Sequence, residues 1–281
     1  MAKNGKKILV AGASGTIGTE LVLHLQASGY EVCCLQRVDP QAPYYWNPEK
    51  GELDVSLEGF DAVINLAGSP IIGGRWGKNQ KEKIYKSRIE PTKALVEAMS
   101  RSRYPPKVFI SASATGIYTS GGFLADVCTQ WEAEAQKASF YGVRVALLRI
   151  GIVLTKKGGI LAKMLPSFRL GFGAIMGSGK QWMSWISIQD LVLCIQHVIE
   201  TEALYGPINA VAPNPVTNEE FSKSLAKALH RPCWLRIPSW VLCFILGEMA
   251  EETVLSSVKV YPDKLRESGF RFQDSVLKFL V

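Results

Sequence analysis

The sequence predicts an α/β fold, a doubly wound parallel sheet with a small C-terminal α/β lobe. Short apolar runs alternate with helical patterns through the first two-thirds of the chain, and a glycine-rich turn joins the first run to the first helix. After about residue 154, loops marked by glycine and proline replace that alternation. At 281 residues the chain is long enough for such a sheet and for a lobe that extends from it.

Five apolar runs predict the strands of the sheet. They lack the polar–apolar alternation of a half-exposed sheet, which is typical of parallel strands covered on both faces. In chain order the runs are Lys7–Ala11, Glu31–Leu35, Asp61–Ala67, Val108–Ser113 and Val143–Ile150. Helical patterns near residues 16–28, 79–99 and 125–140 lie between them and predict the crossovers of βαβ units.

The C-terminal third predicts shorter elements. Asp190 is expected to cap a helix that runs to Glu200, and Thr217 with Glu220 has the spacing of a capping box at the start of another helix. No repeat or low-complexity linker separates this third from the rest. The predicted organisation is a first domain over residues 1–154, with residues 184–212 returning to its sheet, and a small lobe formed by residues 155–183 and 213–281.

The turn after the first predicted strand carries Gly12, Gly15 and Gly18 in a GxxGxxG spacing. In a strand–turn–helix unit such glycines allow a tight turn, close approach of the backbone to a pyrophosphate, and close packing of helix on strand. The pyrophosphate then lies at the helix N-terminus, where free N–H groups and the helix dipole favour negative charge. The pattern predicts a Rossmann-type dinucleotide site rather than a merely structural turn, with candidate contacts at Gly12, Ser14, Gly15, Thr16, Ile17 and Gly18.

The end of the second predicted strand indicates which dinucleotide is bound. An NAD site usually has an acidic residue there to accept from the ribose 2′-hydroxyl, but this chain has Gln36 and Arg37. The guanidinium of Arg37 suits a 2′-phosphate, because the pairing is charge-assisted. The sequence therefore predicts NADP(H) as the cofactor, and the alternative is an arginine that is solvated at a strand end.

Positive charge is concentrated in one segment. The formal net charge is +7, and residues 75–93 alone hold seven Lys or Arg and two Glu, most of them expected on a solvated helix face. Arg88, however, shares a face with Ile84 and Thr92 by helical spacing, and a cation on an apolar face needs an anionic partner such as a cofactor phosphate. No basic groove flanked by aromatic residues is visible, so nucleic acid is not a predicted partner.

The predicted lobe offers candidates for contact with a small-molecule substrate. Trp182 and Trp185 could line an apolar pocket, and packing in the core is equally compatible with their pattern. Arg169 and Lys180 could meet an anionic substrate or be simply solvated.

Metal and membrane partners are not predicted. The six cysteines include no CxxC pair and no histidine at zinc-ligand spacing. The most apolar stretch, Ile237–Leu246, has about half of the ~20 residues of a bilayer-spanning helix and is expected to be a core helix. The apolar run that follows the basic N-terminus is too short for a signal peptide, so we expect a cytoplasmic location.

Ten segments spread over nearly the whole chain carry a family resemblance. They are GASGTIG at 12–18, DAVINLAGSPI at 61–71, RW at 75–76, QKEKIYKSR at 80–88, ISASATGIY at 110–118, FLADVCTQWE at 123–132, LLRIGIVL at 147–154, GGILAKMLPSFRLGFG at 158–173, SWISIQDLV at 184–192 and FSKSLAKALHRP at 221–232. With these segments the chain resembles the extended short-chain dehydrogenase/reductase superfamily, NAD-dependent epimerase/dehydratase-like. More closely, it is similar to the uncharacterised epimerase-family branch that includes the bacterial YfcH-type proteins. The resemblance implies a substrate-binding C-terminal lobe and NADP(H) contacts at Arg37, Leu66, Ala67, Gly68 and Arg88.

The resemblance also indicates which residues are candidates for catalysis. Extended short-chain dehydrogenases use a Tyr-x-x-x-Lys pair on the helix after the fourth strand, with Ser or Thr at the end of that strand, for general acid–base work. Here Ser111 and Ser113 occupy the strand end, but the segment 123–132 holds neither Tyr nor Lys. Tyr118 is the nearest tyrosine, so the candidate catalytic residues are Ser111, Ser113 and Tyr118.

Two functions from different classes are compatible with this pattern. The first is an NADP(H)-dependent oxidoreductase or nucleotide-sugar epimerase that acts on a small polar substrate. The second is a catalytically inactive NADPH-binding protein, regulatory or partner-docking, that lost its chemistry with the Tyr/Lys pair.

Overall fold

The computed structural model of the chain describes residues 5–37, 39, 41–50, 53 and 55–277. The strands are β1 (Lys7–Ala11), β2 (Glu31–Cys34), β3 (Ala62–Asn65), β4 (Val108–Ala114), β5 (Arg144–Ile150), β6 (Ile152–Leu154), β7 (Ala174–Met176), β8 (Trp182–Met183), β9 (Trp185–Ser187), β10 (Gly206–Ala210), β11 (Val216–Thr217) and β12 (Leu235–Ile237). The helices are α1 (Thr16–Ala27), α2 (Lys78–Arg101), α3 (Phe123–Gln136), α4 (Gly159–Arg169), α5 (Ile188–Glu200), α6 (Asn218–Ala228), α7 (Ser239–Leu246) and α8 (Asp263–Glu267). Short 3-10 turns lie at Pro48–Lys50, Thr115–Tyr118 and Lys137–Tyr141, and a π-helical turn lies at Ala250–Val254.

Six strands form a parallel central sheet in the order β2, β1, β3, β4, β5, β10. The five strands predicted from apolar runs are all present, close to their predicted bounds, and the predicted doubly wound α/β fold is confirmed. β10 pairs with β5, so the chain returns to the sheet after it has built the first part of the lobe.

Helices cover both faces of the sheet, which explains why its strands are apolar on both sides. α1 and α5 pack on one face, where Leu25 and Ile195 are fully buried with Ile110 of β4. α2 and α3 pack on the other face, where Leu95 meets Phe109, the preceding residue of the same strand. Successive side chains of a strand point to opposite faces, so one strand contributes to both layers.

The lobe has an apolar centre of its own. Phe168 of α4, Trp185 of β9 and Phe221 of α6 are almost completely buried there. Trp185 therefore packs in the core, whereas Trp182 is half-buried with the Lys259 ammonium 3.8 Å from its ring centre.

The capping box predicted before α6 is confirmed. The Thr217 hydroxyl accepts from the N–H of Glu220 at 3.2 Å, and the Glu220 carboxylate accepts from the N–H of Thr217 at 2.7 Å. The two bonds satisfy donors that the start of a helix otherwise leaves unpaired.

The residue that caps α5 is Ser187, and the expectation for Asp190 is wrong. The Ser187 hydroxyl accepts from the N–H of Asp190, which lies inside the first turn. The Asp190 carboxylate instead accepts from the N–H groups of Gln273 and Asp274, at 2.8 and 2.9 Å. These bonds fix the segment after α8 against α5, and Leu265 of α8 is fully buried in the same apolar cluster as Ile195 of α5. The Phe270 and Phe272 side chains of this segment pack against the apolar cluster that α1 and α5 form with the sheet.

The apolar helix α7 lies at the surface, so the expectation of a core helix is wrong. Leu242 is its buried side chain, while Trp240, Phe244 and Ile245 are exposed. An eight-residue helix at the edge of a small lobe can bury one stripe of side chains, which leaves the others outside. Within the described residues, no helix combines the length and apolar character needed to cross a bilayer.

Candidate functional site

The strand order reverses between β1 and β3, and the loops that leave these strands meet at the carboxyl edge of the sheet. A crevice outside such a reversal is the usual ligand site of an open α/β sheet. Gly12 follows β1 with φ of +79°, and a Cβ at this position would lie 2.7 Å from the carbonyl carbon of Leu66. Only glycine allows this approach, which brings Leu66 and Ala67 against the turn.

The glycine turn leads directly into α1 and leaves the start of that helix open. The N–H of Gly15 donates to the carbonyl of Gly12 at 3.1 Å, and a Cβ on Gly18 would overlap that same carbonyl oxygen. No side chain caps α1, and its first turn holds no acidic residue. Ser14 and Thr16 are exposed beside these free N–H groups. The turn therefore fits a diphosphate.

The lobe reaches the glycine turn and the start of α3. A Cβ on Gly158, just before α4, would lie 2.5 Å from the hydroxyl oxygen of Thr16. At the other contact, the Glu252 carboxylate accepts from the N–H groups of Phe123 and Leu124, at 2.8 and 2.7 Å. The crevice at the carboxyl edge of the sheet is therefore a groove with one wall from the sheet domain and one from the lobe.

Arg37 lies at the carboxyl end of β2, one strand away from the glycine turn. The backbone before it is held by a bridge, because Gln36 donates to the carbonyl of Tyr44 at 2.8 Å and its own carbonyl accepts from Trp46 at 2.9 Å. The side chain is exposed, and none of the described residues forms an ion pair or hydrogen bond with it. Its guanidinium is therefore free to bind a ligand.

Arg88 lies below the loop that follows β3. α2 continues through Pro91 without a break, and the guanidinium of Arg88 donates to the carbonyls of Ile84 and Ser69, at 3.0 and 3.1 Å. It lies against Gly68, where a Cβ would be 3.3 Å from its central carbon. Burial lowers the pKa of Arg88, and no carboxylate among the described residues pairs with it. A desolvated cation in this position suits a phosphate or ribose oxygen of the cofactor.

A chain of polar contacts joins two of the candidate catalytic residues. The Ser113 hydroxyl donates to Glu132 at 2.7 Å, and Arg149 binds the two Glu132 carboxylate oxygens at 2.8 Å each. Arg149 also donates to the phenol oxygen of Tyr118 at 2.8 Å. The hydrogen bond to Glu132 is the main cause that raises the pKa of Arg149.

The orientation of the Asn209 side-chain amide determines which group donates in the hydrogen bond with Tyr118. Its amide nitrogen donates to the carbonyl of Tyr261 at 3.0 Å, which turns its oxygen toward Tyr118. The Tyr118 hydroxyl therefore donates to Asn209 and accepts from Arg149, while Ser113 donates to a carboxylate. In this arrangement neither hydroxyl has a hydrogen left to offer a substrate.

The helix α3 offers no replacement for the Tyr/Lys pair. Leu124 and Cys128 are buried on it four residues apart. Burial raises the pKa of Cys128 to about 11, so the thiol stays protonated at neutral pH. Ser111 is fully buried and bonds weakly to the carbonyl of Ala112 at 3.3 Å.

We predict that Arg149→Met lowers the free energy of unfolding by about 3 kcal/mol, because it leaves the Glu132 carboxylate buried without its cation. Their side chains are 17% and 10% exposed. Lys137→Met is the matched control, because it breaks the ion pair between Lys137, whose side chain is 54% exposed, and Glu134. It should lower the free energy of unfolding by about 0.5 kcal/mol or less. Urea denaturation measures both, and equal losses would contradict a structural role for the buried pair.

Reasoning from the sequence missed Glu132, Arg149 and Asn209. The sequence does contain a pattern that could have identified Arg149, because this arginine lies in the apolar run LLRIG. A buried arginine needs an acceptor for its N–H groups. The identity of that acceptor depends on the packing of α3 against β5. Among the described residues, no cluster of three or more potential metal ligands occurs.

The model of the NAD dependent epimerase/dehydratase family matches residues 8–210, and a domain of unknown function matches residues 237–278. Epimerase family protein ML0860 of Mycobacterium leprae is 37% identical over 99% of this chain and 95% of its own length. The chloroplastic SDR39U1 homolog of Arabidopsis thaliana, also called an epimerase family protein, is 38% identical over 96% of this chain and 84% of its own. The crystal structure of human epimerase family protein SDR39U1 (isoform2) with NADPH has a TM-score of 0.88 and 30% identity, and covers 96% of both chains.

Proposed function

The chain belongs to the NAD dependent epimerase/dehydratase family, and from this premise we propose that it is an NADP(H)-dependent oxidoreductase or epimerase that acts on a small polar substrate. The observation that carries the cofactor choice is Arg37, an exposed guanidinium at the end of β2 where an NAD site has an acid. The human relative crystallised with NADPH supports the same choice.

The cofactor would be held by residues from three neighbouring strand ends. The glycine turn and the start of α1 would bind the diphosphate, and Arg37 would bind the 2′-phosphate. Arg88 and the loop at Leu66–Gly68 would bind the rest of the dinucleotide. When bound, the nicotinamide supplies or accepts a hydride.

Tyr118 is the candidate that can meet a substrate. It is 43% exposed, whereas Ser111 and Ser113 are 0% and 3% exposed. Arg149 donates to the phenol oxygen and would stabilise a developing phenolate, which is the task of the lysine in the missing pair. To deliver its proton, Tyr118 has to exchange Asn209 for an oxygen of the substrate. Ser113 and Glu132 hold Arg149 in place for this exchange.

The second candidate function is an NADPH-binding protein without turnover. The specific observation in its favour is the full pairing of the Ser113 and Tyr118 hydroxyls, together with the absence of Tyr and Lys from α3. Such a protein would use the occupied groove for regulation or for docking a partner.

Turnover with deuterated NADPH and a panel of small carbonyl compounds separates the two functions. For the oxidoreductase we expect stereospecific deuterium transfer to product, and for the epimerase we expect inversion of a hydroxyl-bearing carbon by the NADP⁺-loaded protein; Tyr118→Phe should lower kcat about 100-fold in either case with cofactor affinity unchanged. Protein that holds the cofactor, transfers no deuterium to any compound and inverts no hydroxyl-bearing carbon would instead support the second function.

A further inference from the structure

A cleft of about 260 Å³ opens beside the cofactor groove. Its walls are the loop of residues 69–75, between β3 and α2, and the first turns of α2. Ser69 lines the cleft, and its carbonyl accepts from Arg88 at 3.1 Å. The cleft therefore begins where the proposed cofactor contacts end.

The cleft has two cationic side chains, Arg75 and Lys83, and no acidic residue among those that line it. Both are exposed, and neither forms an ion pair with any residue that the structure describes. Lys81, between them on α2, differs because its ammonium pairs with Glu248 at 2.5 Å. The cleft thus has two cations without a counter-ion among the described residues.

The loop that forms the cleft is fixed by contacts from several elements. The indole N–H of Trp76 donates to the carbonyl of Ile71 at 2.9 Å, and Lys163 of α4 donates to the carbonyl of Ile72. Arg75 lies beside Gly247, at the end of α7. The cleft is consequently formed before a ligand arrives, with one wall tied to the lobe.

We propose that this cleft binds an anionic group of the substrate, a carboxylate or a phosphate monoester, through Arg75 and Lys83; the inference rests on the proposed function and names its substrate class. Gln80 lies in the same wall, where its amide nitrogen donates to the carbonyl of Pro70 at 3.4 Å and has a second N–H for a ligand. Pockets for drug-sized ligands measure ~300–1,000 Å³, so an open cleft of about 260 Å³ has room for one small anionic group.

The test is calorimetric titration of the NADPH-saturated protein with dihydroxyacetone phosphate, 2-oxoglutarate and neutral dihydroxyacetone. We expect one or both anions to bind and the neutral compound not to bind. The double variant R75Q/K83Q should weaken anion binding by about tenfold or more, because it removes two charge-assisted donors. K78Q/R101Q is the matched control, since Lys78 and Arg101 are exposed cations of α2 outside the cleft.

The two anions distinguish the phosphate from the carboxylate form of the proposal. Equal binding of dihydroxyacetone and its phosphate, no binding of either anion, or an unchanged affinity in R75Q/K83Q would each overturn it. NADPH titration of the same variants keeps the two proposals apart. If NADPH binds and the anions do not, this inference fails alone, whereas loss of NADPH binding in the wild type would remove the proposed function as well.

Discussion

Gly18→Ala should abolish NADPH binding and lower the free energy of unfolding by about 2–3 kcal/mol. Gly18 is buried where α1 crosses the end of β1, and the added Cβ would overlap the carbonyl of Gly12 and lie 2.7 Å from the Cα of Ala13. Both neighbours are backbone atoms, so relief requires α1 to move away from the turn. Fluorescence titration with NADPH and urea denaturation measure the two effects.

Gly77→Ala is the control for that substitution. Gly77 also lies at the start of a helix, as the N-cap of α2, but a Cβ there would meet no atom within 4 Å. We expect the NADPH affinity of the wild type and a loss of stability of about 1 kcal/mol or less, because Ala is a poorer N-cap residue than Gly. A Gly18→Ala protein that binds NADPH as the control does would contradict the close packing of the turn.

Arg37→Ala should reduce the affinity for NADPH by about 30-fold or more and leave the affinity for NADH unchanged, because the charge-assisted contact exists only with the 2′-phosphate. The guanidinium is exposed, so its removal should not alter folding. Titration of each dinucleotide into both proteins measures the selectivity.

Arg101→Ala provides the control for charge. Arg101 is an exposed cation at the end of α2, and α2 starts at the carboxyl edge of the sheet and ends at the opposite edge. Its loss changes the net charge equally without touching the groove. Equal weakening of NADPH and NADH by Arg37→Ala would remove the 2′-phosphate assignment.

The fold and the glycine turn could be predicted because their signals are local. A run such as KILVA followed by Gly12, Gly15 and Gly18 fixes strand, turn and helix within a dozen residues, and the structure has each of them. The helix caps show that contacts between residues distant in sequence could not be predicted in this way. The capping box of Thr217 and Glu220, which are three residues apart, could be predicted. The partners of Asp190 could not, because its carboxylate binds the backbone of residues 273 and 274, more than 80 positions later in the sequence.

The polar network and the cationic cleft depend on tertiary packing and could not be read from spacing. Arg149 meets Glu132 because α3 packs beside β5, and Tyr118 meets Asn209 because β10 returns to the sheet edge. Helical periodicity places Lys83 on a polar face of α2, but it does not show that a loop folds back beside that face.

The most direct test of this account is a crystal structure of the protein grown with NADPH. The account predicts the diphosphate at the N-terminus of α1, above the glycine turn, and the 2′-phosphate within hydrogen-bonding distance of Arg37. A dinucleotide bound away from the ends of β1 and β3, or a 2′-phosphate held by other residues with Arg37 in solvent, would contradict it.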